Sequence, residues 1–230
     1  MRQEEDGALI YQKQNLFAIK LYSDGYSAMF EKGYLKTATR ATLFSLELGE
    51  RKHPKEDKVS NSFFGVNSYI FGKENNFYFA KLGVGQSLLI GGKGNRNGVA
   101  ASAVGKGGLS IGLLKPYYLD IVTDSAGGRR EIQIKYKEGD SANNNAFTDF
   151  SRIQRSSGVF KGFGEMKVRP GLFAQAGLRF DYGHYNEAIT AVEVGINAEY
   201  YLSKIPQMVA EKQRHLFLNL YVGIEFGKRK

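Results

Sequence analysis

Three histidines, His53, His184 and His215, are the side chains best suited to acid–base chemistry near neutral pH. A hydrolase or acyltransferase would need one of them beside a serine and a carboxylate. The surroundings are ERKHPKEDK for His53 and EKQRHLFL for His215, and neither places a serine within three positions. Both are therefore expected as solvated residues of a loop rim, and His184 as part of a short turn. The stretch AVGKGGLS (103–110) has the lysine and glycines of a phosphate-binding loop. Its spacing fails, because the motif needs a glycine five positions before Gly105 and Ala100 stands there. GGKGNRNG (91–98) reads as a glycine-rich turn. The chain has no Cys, which removes thiolate metal centres, disulfides and cysteine nucleophiles. No His–carboxylate cluster at ligand spacing is visible, so no metal and no cofactor are expected.

The remaining charges with a pattern are those that alternate with apolar residues. Lys20, Glu47, Lys81, Arg179, Asp181, Glu193, Glu199 and Glu225 all sit on the polar side of period-two runs. The clearest run is LFLNLYVGIEF, with Leu216, Leu218, Leu220, Val222, Ile224 and Phe226 on one side and Asn219, Tyr221, Gly223 and Glu225 on the other. TAVEVGINAEYYL and GLFAQAGLRFDY repeat it. Period two is the signature of a strand with two unlike faces. These runs are about 11 residues long, against ~5–6 for a strand in a typical soluble protein and ~9–11 for a tilted strand that crosses a bilayer.

Five earlier segments alternate less cleanly: NLFAIKLYS, GYSAMFEK, ATLFSLELGE, FYFAKLGVGQSLLIGG and GLSIGLLKPYYLDI. The last spans 108–121, and Lys115 and Pro116 interrupt it. The total is eight strands. Connections 51–74, 122–167 and 203–213, with the tight SDGY turn, then fall at one end. EKGYLKTA, GGKGNRNG and GHYNEA, each short, fall at the other with both termini. Segment 122–167 holds REIQIKYK, a hairpin arm or strand extension, and NNAFTDFSRIQ, a short helix opening at an Asn cap. A ten-stranded wall follows if FGVNSYIFG and REIQIKYK both join it. Many Gly (28), 30 Tyr plus Phe and 4 Pro suit long strands. No run of 18 apolar residues occurs, so no membrane-spanning helix is expected.

A soluble ligand-binding barrel also alternates, with its apolar side inward. Its outer face would need many Lys and Glu. Here the polar side carries Gly, Asn, Gln, Ser, Tyr and single charges, while the apolar side of the last three strands is free of charge. Tyr182, Tyr200, Phe226 and Phe77 lie near strand ends, as aromatic girdles would.

Over residues 15–226 this pattern resembles the small eight-stranded outer-membrane β-barrels of Gram-negative bacteria. The last strand reaches Phe226, which looks like the terminal aromatic that the family's insertion machinery reads, although GKRK follows it. The resemblance implies an all-β, antiparallel, up-and-down transmembrane barrel with long extracellular loops and short periplasmic turns. Residues 1–14 are then a periplasmic segment and 227–230 a basic stub. The opening MRQEEDGALIYQ has no apolar leader core, so the export signal is expected to have been removed. The bore of such a barrel is only wide enough for side chains, and the eight inward charges are expected to pair across it.

The net charge of +9 sits mostly in the long connections. Arg51, Lys52, Lys55, Arg129, Arg130, Arg152, Arg155, Lys212 and Arg214 are candidate contacts to lipopolysaccharide phosphates. Nucleic acid is not expected as a partner, because the charge is scattered over loops and lacks basic and aromatic interleaving. The expected function is a non-enzymatic structural or accessory subunit of a larger outer-membrane complex, serving protein insertion, export or uptake. Its partners would be outer-membrane lipid, lipopolysaccharide and other outer-membrane proteins. The alternatives are a lipid A-modifying enzyme that uses His53 or His215, and the soluble barrel.

Overall fold

The computed structural model describes residues 12–60, 68–93, 98–125, 128–183, 187–209 and 211–230. The strands are β1 (Lys13–Tyr22), β2 (Gly25–Thr37), β3 (Arg40–Arg51), β4 (Lys58–Ser60), β5 (Ser68–Ile70), β6 (Asn75–Gly91), β7 (Ala100–Pro116), β8 (Tyr118–Ser125), β9 (Gly128–Lys135), β10 (Ile153–Ser156), β11 (Lys167–Asp181), β12 (Ala188–Ile205) and β13 (Arg214–Arg229). An α-helix, α1 (Ser141–Phe147), lies between β9 and β10, and a short 3-10 helix (Phe163–Glu165) precedes β11.

Eight of these strands close into a ring in the order β1-β13-β12-β11-β7-β6-β3-β2, and β2 pairs back onto β1. Every neighbouring pair is antiparallel. Closure leaves no edge in the wall, which lipid demands because it cannot hydrogen-bond an open strand.

The side chains are sorted in the reverse of a soluble barrel. Lys20 is 0% exposed while its neighbours Ile19 and Leu21 are 56% and 64% exposed. On β13, Leu218 and Leu220 face out while Asn219 and Tyr221 are buried. An apolar exterior around a polar interior is stable only with hydrocarbon outside, so the soluble-barrel alternative falls. On β13 the outward residues Leu216 to Phe226 span ten steps, which at ~3.4 Å per residue and a tilt of ~40° covers ~25 Å of bilayer. Tyr26 and Tyr200 stand on the outer wall at one end of this belt, and Tyr34, Phe44, Tyr182 and Phe226 at the other. Among the described residues no helix is long and apolar enough to cross a membrane.

Several expectations change. The fifth wall strand is Ala100–Pro116, not 108–121. Its first half escapes a hydropathy reading because its outward positions Ala101, Ala103, Gly105 and Gly107 are small. Tyr118–Ile121 leaves the wall at Pro116 and enters β8. Phe77 points into the bore and is fully buried, so it belongs to no girdle. The helix opens at Asp140, whose carboxylate accepts from Asn143 N at 3.0 Å, so the cap is Asp and not Asn. The wall runs from Lys13 to Arg229, slightly beyond the expected 15–226 at both ends.

The long connections build structure of their own. β10, β8 and β9 form a three-stranded sheet, and β4 pairs with β5. REIQIKYK therefore supplies β9 of this outer sheet, and the described part of FGVNSYIFG supplies β5, so the ring keeps eight strands. Tyr69, Leu119, Ile121, Phe147 and Ile153 form a core for this extracellular platform, apart from the barrel.

Val222 lies on the outward face of β13, half exposed, opposite Leu21 and Val194. Val222→Arg is expected to destabilise the membrane-inserted barrel by ~2–4 kcal/mol. Denaturant unfolding from lipid vesicles measures this, and a shift below ~1 kcal/mol would place Val222 outside the hydrocarbon.

Candidate functional site

The bore is the most densely charged interior region. Five cations (Lys20, Arg51, Lys81, Lys106, Arg179) and five carboxylates (Glu31, Glu47, Glu193, Glu199, Glu225) are buried in it. Their numbers balance, as a low-dielectric interior requires. Each of the eight wall strands supplies at least one of the ten. They reach one another because alternation turns every second residue of each strand toward the axis.

Nearest the extracellular end, Arg51 pairs with both oxygens of Glu199 and also with Asp24. Lys81 approaches the same Glu199 at 2.6 Å, and Tyr201 donates to it at 2.8 Å. At mid-depth Glu47 accepts from Tyr22 and from Ser27, the latter at 2.9 Å, and faces Lys81 at 3.4 Å and Lys20 at 3.9 Å. Lys20 reaches Glu193 at 3.4 Å and lies 4.6 Å from the centre of the Tyr221 ring. Toward the periplasmic end Arg179 binds Glu193 at 2.8 Å, Glu31 at 3.0 Å and Glu225 at 2.6 Å, while Lys106 holds Glu31 at 2.7 Å.

Apolar side chains pack at both ends of this column, and at the inner end a cavity of about 430 Å³ lined by Gln14, Ser102, Asp181 and Arg229 reaches Arg179. Phe77, Leu114, Tyr201, Ile205 and Phe217 pack at the outer end, and Leu16, Ala18, Met29, Ile189 and Ala191 at the inner end. In the middle the Tyr221 hydroxyl fits because Gly177 and Gly195 face it. A Cβ on either glycine would lie 2.5–2.7 Å from that oxygen.

Seven of the eight charges expected in the bore meet there as one network. The eighth, Asp181, sits at the inner rim and pairs instead with Arg229 at 2.7 Å and Lys93 at 3.4 Å. That contact gives the basic GKRK segment a role, since Arg229 is still in strand and caps the rim. Three members were missed as network charges. Arg51, expected at lipopolysaccharide, is 1% exposed and is a bore residue, because it continues the inward row Ser45, Glu47, Gly49 of β3. Lys106 lies in AVGKGGLS, whose glycines suggest a loop. Read back from Ser110 at period two, the stretch is an inward row that includes Lys106. Glu31 follows Ser27 and Met29 on the same inward row of β2.

The other candidate phosphate contacts lie at the long-loop end. Lys52, Lys55, Arg129, Arg130, Arg152, Arg155, Lys212 and Arg214 are all exposed. Lys55 pairs with Glu211 at 2.5 Å, Arg152 with Asp149 at 3.0 Å, and Arg155 with Asp120 at 2.8 Å and Glu131 at 2.9 Å. Burial acts to raise the Asp120 carboxyl, but hydrogen bonds from Arg155 and Ser157 outweigh it and hold it below the usual carboxylate range.

The two described histidines sit at the long-loop end and have structural partners. His53 Nδ1 accepts from Lys55 N at 3.2 Å. His215 Nδ1 lies 3.0 Å from the Tyr201 carbonyl oxygen, and its ring stacks on Tyr200. His184 lies outside the described residues. Among those residues no group of His, Cys, Asp and Glu is placed to hold a metal ion.

A closed, even-stranded antiparallel ring with an apolar belt, a charged and filled bore, short turns at one end and long connections at the other defines an outer-membrane β-barrel. No family model matches the chain, and no curated protein matches its sequence. Solved structures similar to it include Ail, the attachment invasion locus protein of Yersinia pestis, at 12% identity over 96% of this chain and 100% of that one, with a TM-score of 0.43. The N-terminal β-barrel domain of Pseudomonas aeruginosa OprF matches at 12% identity over 96% and 99%, with a TM-score of 0.39. Neisserial surface protein A matches at 11% identity over 97% and 98%, with a TM-score of 0.41. The fold class rests on the ring of strands itself, not on superposition at this level.

Removing one member of the bore network strands its partners. Arg179→Met leaves Glu225 without its counter-charge and Glu31 and Glu193 with lysines alone, and is expected to cost ~3–5 kcal/mol. Adding Glu225→Gln returns the bore to four charges of each sign and is expected to recover part of the loss. Urea unfolding of both variants in lipid vesicles checks the pair, and additive losses would contradict a coupled network.

The Asp120 carboxyl is depressed in the folded state. Its contribution is therefore complete above the unfolded value of about 3.9 and is lost as pH falls through the lower folded value. Hydrogen exchange in β8 and β10 is expected to rise selectively below about pH 4, with the barrel wall unchanged. Asp120→Asn is expected to show raised exchange there at neutral pH as well.

Proposed function

We propose that the protein is a non-enzymatic, non-conducting outer-membrane barrel acting as a structural or accessory subunit of a larger outer-membrane assembly. The observation that carries this reading is the balanced ion-pair column that fills the bore, with apolar clusters packed at its two ends. What remains available for work is the exterior. The platform has its own core, and β9 is an edge of its sheet, with Arg129 to Gln133 all exposed. An exposed strand edge offers unpaired backbone groups and is a ready template for a partner's strand. The charges along it, Arg129, Arg130 and Glu131, favour a partner with polar rim residues. Lipopolysaccharide phosphates are a second class of contact for the exposed arginines and lysines of this end.

The lipid A-modifying alternative would use His53 or His215, and the ring contacts of both speak for structural roles.

Extraction in a gentle detergent is expected to retain a stoichiometric outer-membrane protein, and a charge reversal at Arg129 and Arg130 to release it. Recovery of the free monomer alone would remove the accessory role. In planar bilayers the purified barrel is expected to show no steady conductance, and His53→Ala with His215→Ala no change in the cell's lipid A mass profile.

A further inference from the structure

Of all the large apolar side chains described, Phe160 is the most exposed, at 89%, and Val159 beside it is 70% exposed. They sit on a bend whose ends, Gly158 and Gly162, have φ of +94° and +90°, a region that side-chain-bearing residues avoid. The bend is held in place from the barrel. Lys115 stands on the outward row of β7, one step beyond the lipid-facing row of Leu109, Ile111 and Leu113. Its ammonium donates to the Val159 carbonyl oxygen and lies 4.6 Å from the centre of the Phe163 ring. A Cβ on Gly162 would come 2.9 Å from the Pro116 carbonyl oxygen, so the bend packs directly on the wall. Its apolar tip is thus fixed at the height where hydrocarbon gives way to headgroups.

Beside this tip is a groove of about 300 Å³ lined by Lys52, Lys58, Lys73, Lys115 and Lys161, with Glu50 and Glu56. Five cations against two carboxylates leave an excess of three. Lys73 is neutralised by Glu56 at 2.6 Å, and Glu50 accepts from Tyr26 at 2.6 Å. Lys52, Lys58 and Lys161 are exposed. Lys52 lies 5.6 Å from the centre of the Tyr26 ring and Lys161 5.5 Å from that of Tyr118. Cations over a protruding apolar tip, both on the outer wall and directly above the lipid-facing row, match a ligand that is anionic at one end and hydrocarbon at the other.

We infer that this groove binds one phosphorylated, acylated lipid of the outer leaflet, with Phe160 beside an acyl chain and Lys52, Lys58 and Lys161 around a phosphate. The site rests on the outer-membrane reading but not on the accessory role, since none of its residues lies on β9. The phosphate stays hydrated at the rim, where lysine ammonium groups bind it as point charges. The apolar tip selects a lipid over a free anion, because burying a phenyl ring beside a chain removes apolar area from water.

The chain contains no Trp, so Phe160→Trp provides a single indole reporter. The full chain carrying it is placed in phosphatidylcholine nanodiscs with and without bis-phosphorylated lipid A. Lipid A is expected to shift the indole emission to the blue, and brominated acyl chains to quench it. The triple variant Lys52→Gln, Lys58→Gln, Lys161→Gln is expected to weaken lipid A binding about tenfold, the order set by losing three partly exposed charge contacts. Its heat-modifiable gel migration is expected to stay that of a folded barrel. Equal binding of dephosphorylated lipid A, full competition by inorganic phosphate, or an emission that stays water-like would each overturn the site. A Lys228→Gln control at the opposite rim is expected to bind normally, and a matching loss there would reduce the effect to net charge alone.

Discussion

The charge network in the bore is the interaction on which the rest of this structure depends. With hydrocarbon outside, apolar side chains point outward, and the narrow interior must be filled by what alternation leaves: Lys20, Glu31, Glu47, Arg51, Lys81, Lys106, Arg179, Glu193, Glu199 and Glu225. In a medium of low polarity these charges are tolerable only when paired and hydrogen-bonded. All eight wall strands contribute, so the pairing crosses the ring in every direction. It also guards register. A one-residue slip of any strand would turn its charge toward lipid and its leucines toward the bore.

Filling the bore has a functional cost and a functional direction. A column of paired charges fills the mid-section of the barrel and speaks for work done on its exterior. The same rigidity makes the wall a firm base for the connections above it. The chain uses that base to order a small sheet and a helix around Tyr69, Leu119, Ile121, Phe147 and Ile153. The bend at Gly158–Gly162 is likewise held by the wall, through Lys115 and Pro116. Both exposed features, the β9 edge and the Phe160 tip, are presented on supports that do not depend on a partner for their shape.

Much of the barrel was legible because each strand carries two solvents' worth of information, lipid on one side and bore on the other. In β13 every outward position from Leu216 to Phe226 is large and apolar, and the alternation could be read directly. The reading failed where the outward residues are small. Ala101, Ala103, Gly105 and Gly107 hide the first half of β7, and with it Lys106. Arg51 was misplaced for a related reason. It continues an inward row past the point where the outward row ends, so sequence alone made it a loop cation. The platform was barely legible, because its strands are short and two of them pair across long separations, as in Ile153 with Ile121.

The sequence by itself determined the period-two pattern, the lengths that suit a bilayer, the short and long ends, and seven of the ten charges that fill the bore. These are local properties, since alternation and strand length act on consecutive residues. Only the tertiary structure decided which charges meet. Arg179 and Glu31 are 148 positions apart, as are Arg51 and Glu199, and ring closure with its register brings them together. It also decided that Phe160, an ordinary loop residue in the sequence, stands exposed on the outer wall. That placement comes from Lys115 and Gly162, whose contacts with the bend exist only once β7 has taken its place in the ring.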